Sequence, residues 1–352
     1  MPRDKQEDIS RVGSLRSVRC LPGFFLEREE SSAVDQWIVC MKLGPAVFVW
    51  SSPKKYGETR PILEQKQITD ETMSGFDCPA AKRQASNGHK RVLMCPPVYF
   101  DVIYKINPWM GGSVDKDRAM AQWLTLKREV ERCGVKVEVL PPADGLPDMV
   151  FCANGGLARD QKVYLTSFRH AERRPEEAHF RRWFQKHDFK VFTASPTIFE
   201  GEGDAFFAPD GRLFGGYGVR SEKEAYGDKH LKKLGVLDPI LCEIKPDCEF
   251  YHLDTCLSVL DNDTAIWYPP AFPVETQRAI QKELPNSVAV SYEEACRFVC
   301  NAASYNGTVI CNEGLSPSSL GQLNDKGFDV VQVDVSEFMK AGGAVHCLIM
   351  NL

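Results

Sequence analysis

"DMVFCANGGLARDQKVYLTSFRHAERRPEEAHFRRWFQKHDFKVFTASP" (148–196) contains two apolar runs, one amphipathic stretch and a third apolar run. Short apolar runs bounded by turn residues read as strands, so "DMVFCANGG" and "KVYLTSF" are expected strands. Pro175 is a favoured first-turn residue of a helix. Behind it Phe180, Trp183, Phe184 and His187 recur at helical spacing, and "KVFTASP" closes the unit as a strand. The pattern is strand, strand, helix, strand.

The same order continues on both sides. Upstream, "RVLMCPP" (91–97) is strand-like and precedes a helix over 115–133, where Ala119, Trp123, Leu126, Val130 and Cys133 form one face; "VKVEVLPP" follows. Downstream comes "DAFFAPDGRLFGGYG" with a hairpin-type "PDG" turn. A third helix should start at a capping box, Ser221 with Glu224, and stop before Gly235. Then come "FYHLDTCLSVL", "TAIWYPP", a helix from Pro273, "SVAVS", a helix near 291–300, "GTVICN", a helix near 316–326 and "FDVVQVDV". The unit returns about every 50 residues without sequence identity between copies. Helix–strand alternation predicts an α/β fold. Repetition at this period also fits a closed ring of units, and periodicity leaves both open.

Residues 1–90 differ. The stretch 58–90 is polar and aperiodic, so residues 1–90 read as an N-terminal extension, largely disordered or weakly structured; a short strand pair is expected within 36–50. The folded catalytic domain is expected over 91–352.

Composition narrows the function. The net charge of −5 gives no basic footprint for nucleic acid, and no apolar run approaches the length of a membrane span. Thirteen cysteines are scattered without a CxxC pair, which reads as reduced, mostly buried thiols in a cytoplasmic setting. The opening residues are acidic and carry no apolar signal segment; Asp4, Glu7 and Asp8 also argue weakly against mitochondrial import. Neither a metal nor a cofactor is expected. The expected partner is a small molecule, with a homo-oligomer left open.

Four stretches place charged or amide groups in apolar surroundings at strand ends: "LPDMVFCANGG" (146–156), "FEGEGDAFF" (199–207), "YHLDTC" (251–256) and "GGAVHC" (342–347). A buried carboxylate needs a partner, and a guanidinium is a planar fork that carboxylates match two bonds at a time. Glu200, Asp204 and Asp254 supply such acids. Cys347 is the candidate nucleophile for an electron-poor carbon, and His252 the candidate proton carrier. Taken singly, each has a plainer reading: Cys347 an ordinary thiol, His252 a core histidine, Glu202 a solvated loop charge, Asp148 a turn residue, Arg173 a solvated helix start. Four such stretches at one place in a repeating unit favour the chemical reading.

In this order the stretches resemble those of the guanidine-modifying superfamily of amidinotransferases, arginine deiminases and dimethylargininases. The closest likeness is to the catalytic domain of its arginine dihydrolase branch, through "INPWM" (106–110), Asn154 and "GYGVRS" (216–221). The resemblance implies a five-bladed α/β propeller, the pentein fold, with a central site. It implies Cys347 as nucleophile, His252 as general acid and base, and Glu200 as the acid gripping the guanidinium. It further implies Asn154, Asp254 and Asp204 in the guanidinium pocket, Arg220 and Arg173 on the substrate carboxylate, and Asn107 at the amino-acid end. The expected activity is hydrolysis of L-arginine or a methylated arginine to citrulline through a thiouronium, with onward conversion to ornithine in the dihydrolase branch. Dimethylarginine hydrolysis proper, amidino transfer and arginine binding without catalysis are the alternatives. The chain departs from the pattern at Cys152, Ser258 and His346.

Overall fold

The computed structural model describes residues 91–194 and 196–352, together with three strands at 24–28, 37–43 and 46–51. The chain divides into two units, Met1–Pro79 and Ala80–Leu352. In the first, β1 (Phe24–Arg28), β2 (Trp37–Leu43) and β3 (Ala46–Ser51) form an antiparallel meander, so the strand pair expected within 36–50 is present. The polar stretch 58–90 lies outside the described residues.

The second unit contains five three-stranded sheets of one design. An antiparallel pair is joined to a parallel third strand, and a helix makes the crossover that a parallel connection requires. Strand β4 (Arg91–Met94) lies parallel to β5 (Lys136–Val139), with the helix Lys116–Arg132 between them. The pattern repeats in β6 (Gly156–Arg159), β7 (Lys162–Leu165) and β8 (Lys190–Thr193), with the helix Glu176–Lys186 before β8. It repeats again in β9 (Ala205–Phe207), β10 (Leu213–Tyr217) and β11 (Ile240–Glu243). Two further copies are β12 (Leu257–Val259), β13 (Ala265–Trp267), β14 (Val288–Ala289), and β15 (Ala303–Tyr305), β16 (Thr308–Asn312), β17 (Asp329–Val333). Finally β18 (Met350–Asn351) returns to pair antiparallel with β4, Met350 opposite Leu93. The first sheet is therefore completed by chain some 250 residues downstream. The sheets are small and open, and the architecture is mixed α/β.

The helices bury the faces their spacing predicts. Asp115 caps the first by accepting from Arg118 N, and Ala119, Trp123, Leu126 and Val130 are buried on it. Beside it the Phe100 ring stacks on Phe338 at 5.0 Å.

Three local expectations are corrected. "DMVFCANGG" is not a strand: residues Pro147–Val150 and Cys152–Gly155 form two 3-10 turns, and β6 begins only at Gly156. "HLDTC" likewise forms the 3-10 turn Leu253–Thr255 ahead of β12. Tight turns place their polar side chains together on one side, where a strand would send alternate ones to opposite faces. Ser221 and Glu224 form no capping box. Ser221 Oγ donates to Asp204, and the short helix Lys229–Lys233 is capped by Asp228. Gly235 does follow that helix, at φ +83°.

Candidate active site

The four polar stretches occupy equivalent places. Each forms a short 3-10 turn just before the first strand of a unit: 152–155 before β6, 201–203 before β9, 253–255 before β12 and 346–348 before β18. The turn ahead of β15 completes the set and ends at Asn301, which is fully buried. Each turn presents one polar side chain one to three residues before its strand: Asn154, Asp204, Asp254, Asn301 and Cys347.

Cys347 lies at the meeting point of two of them. Its Sγ donates to Asp254 Oδ2 at 3.2 Å and accepts from Asn301 Nδ2 at 3.2 Å, while its backbone N–H donates to Asn301 Oδ1 at 3.0 Å. Asn301 Nδ2 also donates to Asp254 O, so one amide ties both turns together. Burial, then the Asp254 charge, pushes the Cys347 thiol well up. Asp254 is 1% exposed, and its Oδ1 has no hydrogen-bond partner. A buried carboxylate oxygen without a donor is costly, and it marks where a cation would be welcome.

Two residues before Asp254, His252 Nε2 donates to Glu200 Oε2 at 2.7 Å. Arg220 Nη1 donates to the same oxygen at 2.9 Å, and Arg169 N donates to Glu200 Oε1 at 3.0 Å. Burial works to raise the Glu200 pKa, but Arg220 and His252 outweigh it and hold this carboxyl well below the usual range. Glu200 is therefore an anion clamped at both oxygens. Arg220 stacks over the Tyr251 ring at 4.7 Å and reaches Ile106 O with its other nitrogen.

The remaining expected residues converge on the site but spend their polar atoms on protein. Asp204 accepts from Ser221 N, Ser221 Oγ and Leu253 N, pinning the turns that carry Arg220 and His252 to each other. Arg173 is not on a solvated helix start. It is 3% exposed, doubly bonded to Glu176, and donates to Asn154 Oδ1 and Asp148 O. Asn154 in turn donates to Glu200 O. Asn107 Nδ2 donates to Ala341 O, and its Oδ1 accepts from Trp109 N. It packs under Gly342, which sits at φ +87° and whose Cβ would meet Asn107 Oδ1 at 2.7 Å. Only glycine suits that turn.

Asn301 escaped the sequence reading, although its signal was there: a lone amide at the fifth repeat of the turn position. Glu202, expected as a solvated loop charge, is 2% exposed, and Asp148, expected as a turn residue, lies in the 3-10 turn Pro147–Val150 and is equally buried. Asp148 lies 3.9 Å from Arg173 Nε, and its Oδ1 has no partner. Glu202 accepts from Asn351 N and Nδ2, and burial pushes its carboxyl up to about 7. Among the described residues no cluster of His, Cys, Asp and Glu could hold a metal ion, and no helix is long and apolar enough to cross a membrane.

By its relatives this chain is a hydrolase of C–N bonds in linear amidines, and its site holds a buried thiol against one carboxylate and an imidazole held by a second acid that also binds an arginine. The chain belongs to the family described as "N,N dimethylarginine dimethylhydrolase, eukaryotic", whose sequence model matches residues 110–352. It is 46% identical to protein ZK1307.1 of Caenorhabditis elegans, over 80% of this chain and 100% of that one. It is 40% identical to the bifunctional arginine dihydrolase/ornithine cyclodeaminase ArgZ of Synechocystis, over 74% of this chain but only 37% of that protein. It is 36% identical to the N(G),N(G)-dimethylarginine dimethylaminohydrolase of Mycobacterium tuberculosis, over 75% of this chain and 86% of the relative. The crystal structure of the ArgZ N-terminal domain covalently bound to a reaction intermediate aligns with a TM-score of 0.70 at 39% identity, covering 74% of this chain and 97% of that one.

Proposed function

We propose that this protein hydrolyses the guanidino group of L-arginine or an N-methylated arginine, with Cys347 as nucleophile. The observation that carries the reading is the partnerless Asp254 Oδ1 beside the Cys347 sulfur, buried and suited to a cationic fork. The guanidinium binds against Asp254 and Glu200. Its positive charge lowers the cost of forming a thiolate that otherwise titrates well above the ordinary thiol value of about 8.5. The Cys347 thiol gives up its proton to solvent as the cation binds, and the thiolate adds to the guanidinium carbon. His252, held by Glu200, gives a proton to the departing ammonia or methylamine, and a thiouronium remains. His252, now neutral, takes a proton from water, whose oxygen attacks the same carbon. The C–S bond breaks and citrulline leaves.

Arg220 and the free oxygen of Asp148 suit the carboxylate and ammonium ends of an amino acid. Arg173, Asp204, Asn107 and Asn301 act by positioning. The five sheets are read as blades of a ring, the pentein arrangement, with the five turns pointing to its centre and the β18–β4 pairing as the closing seam. Among the described residues ten cysteines are unbridged, which fits a reducing, cytoplasmic setting.

Cys347→Ser is expected to abolish turnover while leaving the melting temperature within a few degrees of wild type. Mass spectrometry of wild type incubated with arginine or with dimethylarginine should show a Cys347 adduct and identify the product. Retained turnover in Cys347→Ser would remove the assignment.

Onward hydrolysis to ornithine is a second reading, favoured by Asn154. A neutral amide beside Glu200 repels a neutral ureido group less than a carboxylate would. Asn154→Asp should then lower ornithine relative to citrulline. An unchanged product ratio would end this argument.

A further inference from the structure

A cavity of about 40 Å³ is lined by Ser258, Ser304, Tyr305, Asn351, Phe206 and the His346 ring among others. It has room for about three waters. His346, which precedes Cys347 in the chain, lines this cavity. Its Nδ1 donates to Asp254 Oδ2 at 3.0 Å, the same oxygen that accepts from Cys347 Sγ. The ring meets the Phe206 ring edge-on at 5.8 Å, and His346 is 8% exposed. The charged groups around it are Asp254 and Glu202; the other titratable groups nearby are Cys347 and the Tyr305 phenol. Glu202 stands behind Asn351, which gives it two hydrogen bonds. Burial alone would discharge the imidazole, but Asp254 and then Glu202 raise its pKa above the ordinary value.

Asp254 has one oxygen engaged twice and the other not at all. Which oxygen stays open is decided by His346, since the Cys347 thiol alone is a weak donor. We infer that His346 is a positioning residue of the amidine-hydrolysing site: it fixes Asp254 through Oδ2 and so reserves Oδ1 for the substrate cation, with Glu202 on the far side of the imidazole. This rests on Cys347 being the nucleophile. Activity then depends on a cationic His346, and it is lost as pH rises through the folded-state pKa of that ring.

The test is the pH profile of kcat/KM for the full chain, on whichever of arginine and dimethylarginine the wild type turns over. His346→Asn keeps an N–H donor near the Nδ1 position without the charge, whereas His346→Ala removes both. Glu202→Gln keeps the acceptor that holds Asn351. Glu202→Gln should shift the alkaline limb to lower pH by about one unit, the scale of one nearby charge. In a His346→Asn background the same substitution should shift nothing. His346→Ala should raise KM at least tenfold, with His346→Asn recovering only the part of that loss due to the hydrogen bond and not the part due to the charge. An alkaline limb unmoved by Glu202→Gln, or moved equally with and without His346, would overturn the inference. Should His346→Ala fail to fold, the Glu202→Gln and His346→Asn pair still decides. The Cys347→Ser control keeps the two readings apart. If that variant turns over, the proposed function is lost. If it is inert but the Glu202 shift ignores His346, only this inference is lost.

Discussion

Asn301 does three things with one amide: it orients the sulfur, holds the nucleophile's backbone and grips the Asp254 turn. Asn301→Ala leaves those groups without partners in a buried place, at a stability cost of about 1–3 kcal/mol. The catalytic effect should be larger. A displacement of an ångström at a reacting atom costs about 100-fold, so kcat should fall by that order while KM changes less. Steady-state kinetics beside a thermal melt separate the two, and a kcat within twofold of wild type would show that the amide is dispensable. At this scale the sequence exposed Cys347, His252, Glu200 and Asp254 because each stands in an apolar stretch where a polar group needs a reason. It did not reveal the protein partners that Arg173, Asp204 and Asn107 hold. A side chain that grips a ligand and one that grips the protein look alike in a string of letters. Glu202 was misread for a related reason: glycines flank it at 201 and 203, and flexible acidic loops usually lie in water.

Among the elements, the short helix Tyr292–Cys296 shows how little local length is needed when the cap is complete. Ser291 Oγ accepts from Glu294 N, and the Glu294 carboxylate accepts from Ser291 N and from Ser316 N. Burial opposes the charge, but the backbone donors prevail and hold the Glu294 pKa down to about 2. Its folded pKa lies below the unfolded value of about 4.3, so its stabilisation is complete above that pH and fades as pH falls towards 2. Glu294→Gln should cost about 1 kcal/mol at neutral pH and flatten the acid limb of stability. Denaturant melts at pH 7 and pH 3 measure both, and an equal loss at the two pH values would contradict the sign. Helices were the most legible elements. The faces carrying Trp123 and Phe180 follow directly from spacing, and both residues are fully buried. The turns before the first strands were the least legible, because "DMVFCANGG" and "HLDTC" carry as much apolar character as true strands. Their buried polar side chains decide for a turn, and those partners come from other units of the repeat.

For the whole molecule, repetition was legible at a period of about 50 residues, and the common antiparallel-plus-parallel plan of five sheets bears that out. What repetition could not reveal is the pairing of β18 with β4. Met350 and Leu93 are fully buried and lie opposite each other across that join. Met350→Ala should cost about 2–5 kcal/mol. Because β18 follows the turn 346–348 almost directly, enzymatic inactivation on heating should come at a lower temperature in this variant than the loss of helical circular dichroism. Coincident transitions would show that the join melts only with everything else.

That join also bears on how the protein ages in use. A clasp made of two residues per strand, with the Cys347 sulfur three positions away, is the place where brief breathing motions would bare the thiol to passing oxidants. Substrate bound against that sulfur would hold the clasp shut, so a working molecule should outlast an idle one.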